Sequence, residues 1–409
     1  MSESASARRV LLRFAPMIYG PTVLFALGEG AVVPLIPILA GKLGADLALA
    51  GLVASALVIG QFVGNPPAGW LVARVGERVA MLGAAALALV GVAGLALAPS
   101  LAVLAAAVFL IGLCAASYGL ARHAFMTVRV PFAFRARALA LLGGSFRLGM
   151  FLGPFSAGLL LTLTGSEASA AWAFAGCLVA CLLLVGFGPD PETSRPGGPD
   201  GEAVPAAGPA GVWRTMARHR GVLARLGLAA SSLSAVRSAR QVVLPLWGIA
   251  LGLDAHTIAF VVGIAGAVDF ALFYASGQVM DRFGRLWAAL PAMVLMGVGF
   301  LLLSLTQHWP AAATWYVGCA GVIGLGNGLS SGILMTLGAD LAPPGDTAAF
   351  LGSWRTLTDG GGALAPVLFS GMAGLATIGV GTAAIGAIAL VGAVGFARWV
   401  PRFVPRGPE

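Results

Sequence analysis

Charged residues are scarce in this chain of 409 residues. Asp, Glu, Lys and Arg make up 10% of it, whereas an average soluble domain contains about 25%. Hydrophobic residues make up 59%, which is more apolar surface than a soluble fold of this length can bury. The composition therefore excludes an ordinary soluble domain and favours a membrane protein.

Lysine is nearly absent, since Lys42 is the only one, and the net charge of +8 comes from arginine. A basic balance can indicate nucleic-acid binding. Here, however, the arginines lie in short gaps between apolar runs and not along one face. This placement is typical of membrane proteins, so we expect the lipid bilayer and no nucleic acid as partner.

Only four cysteines and four histidines occur, and the four cysteines all lie inside apolar runs. No His stands near Cys177 and Cys181 to complete a metal site. We therefore expect free, unreactive thiols and no metal. The sequence also lacks a Walker loop and a supported Ser/His/Asp set, so we expect no cofactor, no ATP-driven step and no enzyme activity.

Apolar runs long enough to cross a bilayer need about 20 residues. The first is expected to be a retained span, because it is longer than a signal-peptide core and contains Glu29, Pro34 and Pro37. The twelve runs lie near residues 16–40, 48–68, 79–98, 101–121, 139–163, 168–188, 222–250, 257–277, 286–306, 311–337, 348–373 and 376–397.

Arginines orient these spans, because basic residues favour the cytoplasmic side. With the N-terminus inside, the loops on the opposite side contain only Lys42. Both termini are therefore predicted to be cytoplasmic. The cytoplasmic set is Arg8, Arg9, Arg13, Arg74, Arg78, Arg129, Arg135, Arg137, Arg195, Arg214, Arg218, Arg220, Arg282, Arg285, Arg402 and Arg406.

The stretch from Pro189 to Gly211 is rich in Pro and Gly, lacks apolar periodicity and is predicted to be a flexible linker. The two sides of it repeat: Leu43-Gly44-Ala45-Asp46 matches Leu251-Gly252-Leu253-Asp254. A parallel repeat of six spans is a transporter architecture with its site near mid-membrane. The predicted segments are a cytoplasmic N-terminus (1–15), a first bundle (16–188), a cytoplasmic linker (189–220), a second bundle (221–397) and a cytoplasmic C-terminus (398–409).

Two stretches at equivalent positions of the repeat, GWLVARVGER and GQVMDRFGRL, resemble the loop motif G-x-L-x-D-R-x-G-R-[KR] of the major facilitator superfamily. Their glycines are expected to allow tight turns with positive φ. The first copy matches at Gly69, Leu71, Arg74, Gly76 and Arg78, and the second at Gly277, Asp281, Arg282, Gly284 and Arg285. The resemblance covers nearly the whole chain. It implies an all-α polytopic membrane protein with 12 transmembrane helices in two pseudo-symmetric six-helix bundles.

The two copies differ in their acid, since the first has Ala73 where the second has Asp281. In the family this aspartate is expected to face a helix N-terminus of the other half. Ala73 cannot do so. Either Glu77 replaces it, or Asp281 alone provides the acid and the inner gate is asymmetric.

The fifth span contains Gly149, Gly153, Pro154 and Gly158, which resemble the superfamily's antiporter motif G-x-x-x-G-P-x-x-G-G. This resemblance implies the twelve-span drug/proton antiporter branch. The proline bends a helix, and the glycines let a neighbouring helix approach closely. A third motif, R-x-x-Q-G, is incomplete: Val108 and Ile111 stand in place of its Arg and Gln. This chain therefore lacks the span-4 arginine to which the superfamily resemblance would assign a proton-relay role.

Six ionisable residues lie within predicted spans, at a cost of about 2.5–3.5 kcal/mol each at the bilayer centre. They follow the repeat, because Glu29 is equivalent to Arg237, Gln61 to Asp269, and Arg147 to Asp359. The family fold places span 5 near span 8 and span 2 near span 11. We therefore predict an inter-bundle gate made of Arg147, Asp269, Gln61, Asp359 and Arg355. Its main pair is Arg147–Asp269, and a static packing pair is the alternative. Asp359 is expected to lie across from Gln61 and within reach of Arg355 on its own helix (i, i+4).

Glu29 is predicted to be the site of a proton or of a cationic substrate, because burial disfavours the charged form of a carboxyl group. In the alternative interpretation, Glu29 only neutralises the charge of Arg237 or Arg240 in the central cavity. These two arginines, three residues apart, also favour anionic or zwitterionic substrates.

The sequence thus predicts a monomeric secondary transporter of the cell membrane. Its leading function is proton-coupled export of a small amphipathic molecule by alternating access. Proton-coupled import, or facilitated uptake of a metabolite, is the first alternative. A non-transporting sensor or scaffold is the second.

Overall fold

The computed structural model describes residues 15–130, 132–188, 209–343 and 347–404. These ranges are almost entirely helical and contain no β-strand, which confirms the predicted all-α class. The predicted N-terminal segment up to residue 14, the linker residues 189–208 and the C-terminal residues 405–409 lie outside the described residues.

The first half of the chain forms six long helices, one for each predicted span. The first is composite: Gly20–Val32 and Ile36–Lys42 are joined by a 3₁₀ turn, Val33–Leu35, that contains Pro34. The six are α1 (Met17–Lys42), α2 (Leu47–Val75), α3 (Glu77–Ala96), α4 (Leu101–Arg129), α5 (Phe132–Thr164) and α6 (Ala168–Phe187).

Six long helices also follow the linker. They are α7 (Leu228–Ala250), α8 (Ala255–Phe283), α9 (Arg285–Leu305), α10 (Ala312–Leu329), α11 (Thr347–Leu375) and α12 (Ile378–Phe403). A shorter helix, Ile333–Leu341, continues α10 after a break. A π-helical turn, Leu223–Gly227, precedes α7.

Ten of these twelve helices are long and apolar enough to cross a membrane. The other two are α7, which contains Arg237 and Arg240, and α11, which contains Arg355 and Asp359. Both helices thus contain charged residues that were proposed from the sequence as functional.

The helices form two compact units. One contains residues up to Gly44 together with Ala56–Ala203, and the other contains Ala45–Ser55 together with Val204–Glu409. The beginning of α2 therefore groups with the second unit, where Gly51 lies against Ser370 and Leu246. The domain boundaries proposed from the sequence stay a prediction.

The two loop motifs are mostly helical, and the predicted ends of spans 2 and 8 were wrong. Helix α2 continues to Val75 and α8 to Phe283, so Gly69 and Gly277 lie inside helices. The cause is local, because neither stretch contains a strong helix breaker before the next glycine. Gly76 and Gly284 then separate the helices with φ of 83° and 90°, the positive values that favour glycine.

Part of the predicted linker is also helical. Residues Pro209–Arg218 form a helix where the sequence predicted flexible chain up to Gly211. Proline is compatible with the first turn of a helix, since its missing N–H is not needed there. The next residue, His219, contacts α11, since its ring meets the Phe350 ring edge-on with centres 5.4 Å apart.

In the first unit, α1 packs closely against α5 because both helices have glycines at the crossing. A Cβ on Gly153 would lie 2.6 Å from backbone atoms of Leu27, Gly30 and Ala31. A Cβ on Gly149 would lie 2.5 Å from the Val23 carbonyl oxygen. These distances are too short for any side chain, so glycine is required for this helix approach.

In the second unit, α10 is broken at Ser330, Ser331 and Gly332, and Gly332 has a φ of 77°. The break leaves carbonyl groups without helical partners. The Ser276 hydroxyl of α8 lies 2.7 Å from the Leu329 carbonyl oxygen and 2.9 Å from that of Ser331. It thereby satisfies backbone groups that would otherwise be costly to bury.

Candidate functional site

Glu29 of α1 is the buried acid of the first unit, with 4% of its surface exposed. The Gln61 amide of α2 donates a hydrogen bond of 3.0 Å to its carboxylate. From the sequence, Gln61 was predicted to belong to the gate, and its contact with Glu29 was not predicted. Since Gln61 is neutral, this contact satisfies one carboxylate oxygen without cancelling the charge of the ionised form.

The positive charge near Glu29 comes from Arg122 of α4, which sequence reasoning did not propose as a site residue. Arg122 is 7% exposed and interacts electrostatically with Glu29. Its guanidinium lies 4.9 Å from the centre of the Phe146 ring of α5. Among the described residues, its Nε–H has no hydrogen-bond acceptor. A buried cation with an unused donor is costly, so the site favours an additional polar or anionic group.

Aromatic rings line the same part of the first unit. Phe25 of α1 stacks on Tyr118 of α4 with ring centres 4.6 Å apart, and Phe174 of α6 meets Phe25 edge-on at 5.7 Å. Gly28 makes room for Phe174, because a Cβ there would lie 1.9 Å from a ring carbon. Tyr118 stands one turn before Arg122, so α4 presents a ring and a charge on one face.

The antiporter-like motif determines where Glu29 lies. Gly149 and Gly153 provide the close contact between α5 and α1, and Gly30 is part of that contact. Pro154 follows within α5, and the carbonyl of Gly158 accepts a hydrogen bond from the Thr162 hydroxyl at 2.9 Å. The motif thus positions the helix that carries the acid, whatever its role in transport.

The second unit places an ion pair between neighbouring helices. Arg240 Nη2 of α7 lies 3.8 Å from Asp269 Oδ2 of α8, with 16% and 14% of the two side chains exposed. Asp269 occupies the position equivalent to Gln61 in the first half. Arg237 lies one turn before Arg240 and is half-buried.

A second pair lies within α11. Arg355 Nε is 3.4 Å from Asp359 Oδ2, and the side chains are 56% and 32% exposed. This is the i, i+4 spacing considered in the sequence analysis. The role of either residue in a gate stays a prediction.

The proposed inter-half pairs join residues of different units. Arg147 and Asp359 are both half-buried on their helices. The pairing of Arg147 with Asp269, and that of Asp359 with Gln61, stay predictions, as does the neutralisation of Glu29 by Arg237 or Arg240.

The first loop motif caps a helix with its last arginine. Arg78, at the start of α3, donates to three carbonyl oxygens at the end of α6: Val185 at 3.0 Å, Gly186 at 2.7 Å and Gly188 at 3.2 Å. The last carbonyls of a helix lack partners within it, and a cation there also interacts favourably with the helix dipole. Arg74 instead lies over the Trp70 ring at 5.2 Å.

The second motif copy forms an ionic cluster. Arg285 Nε lies 2.9 Å from Asp340 Oδ2, at the end of Ile333–Leu341, and Arg285 Nη1 lies 3.6 Å from Asp281 Oδ1. Arg285 also donates to the Met280 carbonyl at 3.1 Å. Arg282 lies over the Phe283 ring at 5.5 Å. Asp281, whose equivalent in the first copy is Ala73, thus pairs with an arginine of its own half.

Comparison with known proteins decides the family. The family model described as Major Facilitator Superfamily matches residues 21–366. The chain belongs to the major facilitator superfamily. This membership supports a secondary transporter with a small-molecule substrate in a membrane. No match to a curated protein was found.

Solved structures place this superfamily member among known transporter folds. One of them, described as the crystal structure of a POT family transporter in complex with thioalcohol conjugated peptide, covers 97% of both chains with a TM-score of 0.78. Its sequence identity is 13%, so the similarity shows the fold alone. The superfamily resemblance is confirmed, and the drug/proton antiporter branch stays a prediction.

Proposed function

We propose that this superfamily member is a proton-coupled exporter of small amphipathic molecules. The observation that carries the proposal is the burial of Glu29 beside Gln61 and Arg122 in the first unit. An ionisable residue inside a membrane segment is costly, and such residues mark proton and substrate sites in transporters.

The three residues provide a proton-dependent switch. When Glu29 is ionised, its carboxylate accepts from Gln61 and attracts Arg122. Protonation of Glu29 removes this attraction and leaves the guanidinium free to bind another group. Two protonation states with different contacts shift the populations of two conformations, which is the requirement for alternating access.

The aromatic rings and Arg122 favour an amphipathic substrate. Phe25 and Tyr118 form a buried apolar stack in the same unit as one unused guanidinium donor. The antiporter-like glycines on α5 support export over import as the direction. The proposal further includes a monomer in the cell membrane with both termini in the cytoplasm.

Transport by the purified protein in proteoliposomes tests the proposal. A panel of amphipathic cations, neutral compounds and anions is offered under pH gradients of either sign. We expect at least one compound to accumulate in the compartment that is more acidic, and Glu29→Gln to abolish this accumulation. The matched variant is Asp359→Asn, which also removes one acid from a span.

Three outcomes contradict parts of the proposal. Accumulation away from the acidic compartment indicates symport, the alternative given above. Transport that ignores the gradient indicates a facilitator. Accumulation that survives in Glu29→Gln shows that Glu29 is a structural residue and that coupling lies elsewhere.

A further inference from the structure

Three arginines surround one tryptophan at the end of the last helix. The guanidinium carbons of Arg225, Arg398 and Arg402 lie 4.9, 5.3 and 5.2 Å from the centre of the Trp399 ring. All three distances are within the range of about 6 Å for a cation–π contact. We call this group the Trp399 cluster.

Close helix packing brings these residues together. A Cβ on Gly392 of α12 would lie 2.1 Å from the Ser232 hydroxyl oxygen of α7, and one on Gly395 would lie 3.0 Å from the Ala229 side chain. Trp399 follows one turn after Gly395, and Arg225 lies one turn before Ala229. The glycine contact therefore continues directly into the contact between Arg225 and the indole.

No acidic residue in the described part of the chain neutralises the cluster. The ion pairs of Lys42, Arg240, Arg285 and Arg355 lie elsewhere in the chain, and all three cluster arginines are exposed. Positive charges gathered round one ring repel one another. Exposed cation–π contacts contribute only about 0.5–1 kcal/mol each, so a counter-anion is favoured.

The position of the cluster identifies the anion. Trp399 lies in the last turn of a helix that is apolar enough to cross the membrane. Tryptophan at such a position is typical of the level of the lipid headgroups. Guanidinium groups bind phosphate through two parallel hydrogen bonds. Basic pockets between transmembrane helices at this depth suit anionic headgroups.

We propose that the Trp399 cluster binds the phosphate headgroup of an anionic phospholipid. The indole holds the three side chains in place, and Arg225 joins the start of α7 to the end of α12 through the bound headgroup. The cluster lies apart from Glu29 in the sequence and in the other unit, so this proposal stands or falls independently of proton coupling.

Native mass spectrometry of the full chain with added lipid tests the proposal. Phosphatidylglycerol and phosphatidylcholine are titrated separately onto the purified protein, its Arg225→Gln/Arg402→Gln variant and a matched Arg214→Gln/Arg220→Gln variant. The matched pair is also exposed, precedes α7 and removes the same charge. A hydrogen bond from each arginine to the bound phosphate contributes about 1 kcal/mol net, so we expect the cluster variant, which loses two, to bind phosphatidylglycerol roughly 30-fold more weakly.

Binding of phosphatidylcholine is expected to stay unchanged. The Arg214/Arg220 variant is expected to bind phosphatidylglycerol nearly as tightly as the parent protein does. Equal weakening in both variants indicates a general charge effect and overturns the proposal, as does no weakening in either. Displacement of phosphatidylglycerol by inorganic phosphate at equal concentration overturns the assignment to a lipid. If the double variant does not fold, Trp399→Leu replaces it, because it keeps every charge and removes the ring, and it must weaken phosphatidylglycerol binding.

Discussion

The two halves of this transporter use equivalent positions for different chemistry. In the first half, buried Glu29 accepts a hydrogen bond from neutral Gln61. In the second half, Asp269 takes the place of Gln61 and lies 3.8 Å from Arg240. In the first half the acid thus accepts a hydrogen bond from a neutral amide, whereas in the second half the acid forms an ion pair.

Under the proposed function, this difference separates a titrating site in the first half from a structural ion pair in the second. An ion pair across two helices already neutralises its acid, and breaking it leaves a charge in an apolar environment. The carboxyl of Glu29 instead accepts its hydrogen bond from a neutral donor, the Gln61 amide, and the cation near it, Arg122, acts through its charge. We therefore propose that a proton binds Glu29 at less structural cost and that coupling belongs to the first half.

Helices α4 and α10 show the same asymmetry. Helix α4 continues unbroken through Tyr118 and Arg122 to Arg129. The repeat aligns Tyr118 with Ser330, where α10 breaks. The first half therefore presents a ring and a charge from an unbroken helix, and the second half has a turn of two serines and a glycine there.

The largest expected effect separates Glu29 from Asp269. In proteoliposomes, Glu29→Gln is expected to remove the response of transport to a pH gradient and to leave counterflow of the same compound intact. Asp269→Asn is expected to lower the melting temperature, because Arg240 loses its carboxylate, and to keep the response to pH. A lost pH response in Asp269→Asn with an intact one in Glu29→Gln would reverse the assignment of the two halves.

The helix crossing in the first half should be sensitive to one methyl group. Gly153→Ala places a Cβ against backbone atoms of α1 at 2.6 Å, and such overpacking costs about 1–3 kcal/mol. The equivalent residue of the second half is Ala365. Thermal unfolding in detergent measures the effect. The control is Gly176→Ala on α6, where a Cβ meets no atom within 4 Å; an equal loss in both variants would contradict the account.

The loss of stability on replacing an arginine in each loop motif should depend differently on salt concentration. Arg78→Gln removes three charge-assisted hydrogen bonds to carbonyl groups at the end of α6, worth about 2 kcal/mol together. Arg285→Gln removes a partly exposed ion pair with Asp340, worth about 1 kcal/mol or less. Melting temperatures at low and high salt measure both. We expect the Arg285 loss to shrink in high salt and the Arg78 loss to persist, and the opposite pattern would be contradictory.

The smallest expected change in melting temperature concerns Lys42 and Glu167, which form an ion pair between the end of α1 and the start of α6. Burial raises the pKa of Glu167, but the hydrogen bond and charge of Lys42 outweigh it, so this pKa lies below its ordinary value. The contribution to stability is therefore present above the ordinary pKa and lost as the pH falls through the lowered one. Lys42→Gln should lower the melting temperature at neutral pH and not in strong acid. A loss that is independent of pH would contradict the pairing.

Much of the fold follows from the sequence, because apolar runs and arginine positions are strong and repeated signals. Helices α3, α6, α9 and α11 begin and end close to the predicted spans, whereas α4 continues to Arg129 and α12 to Phe403, beyond the predicted ends at 121 and 397. The ends at Val75 and Phe283 were missed because a basic helix can continue past the apolar core of the membrane. Only the glycines at 76 and 284 end these helices.

The site was predicted in part. Glu29 was identified because a lone acid in an apolar run is costly. Arg122 was missed because it stands beside His123 near the end of a run, and the repeat aligns it with Leu334, which carries no charge. The i, i+4 spacing of Tyr118 and Arg122 was the available signal. The contact between Glu29 and Gln61 depends on how α1 and α2 pack, which no local pattern encodes.

Infrared difference spectroscopy of the purified protein between acidic and alkaline buffer tests the central claim most directly, since it requires no substrate. A protonated carboxyl in an apolar site gives a separate C=O stretching band. The account predicts one such band that titrates in the parent and in Asp359→Asn and is absent in Glu29→Gln. A band that persists unchanged in Glu29→Gln would show that another group binds the proton.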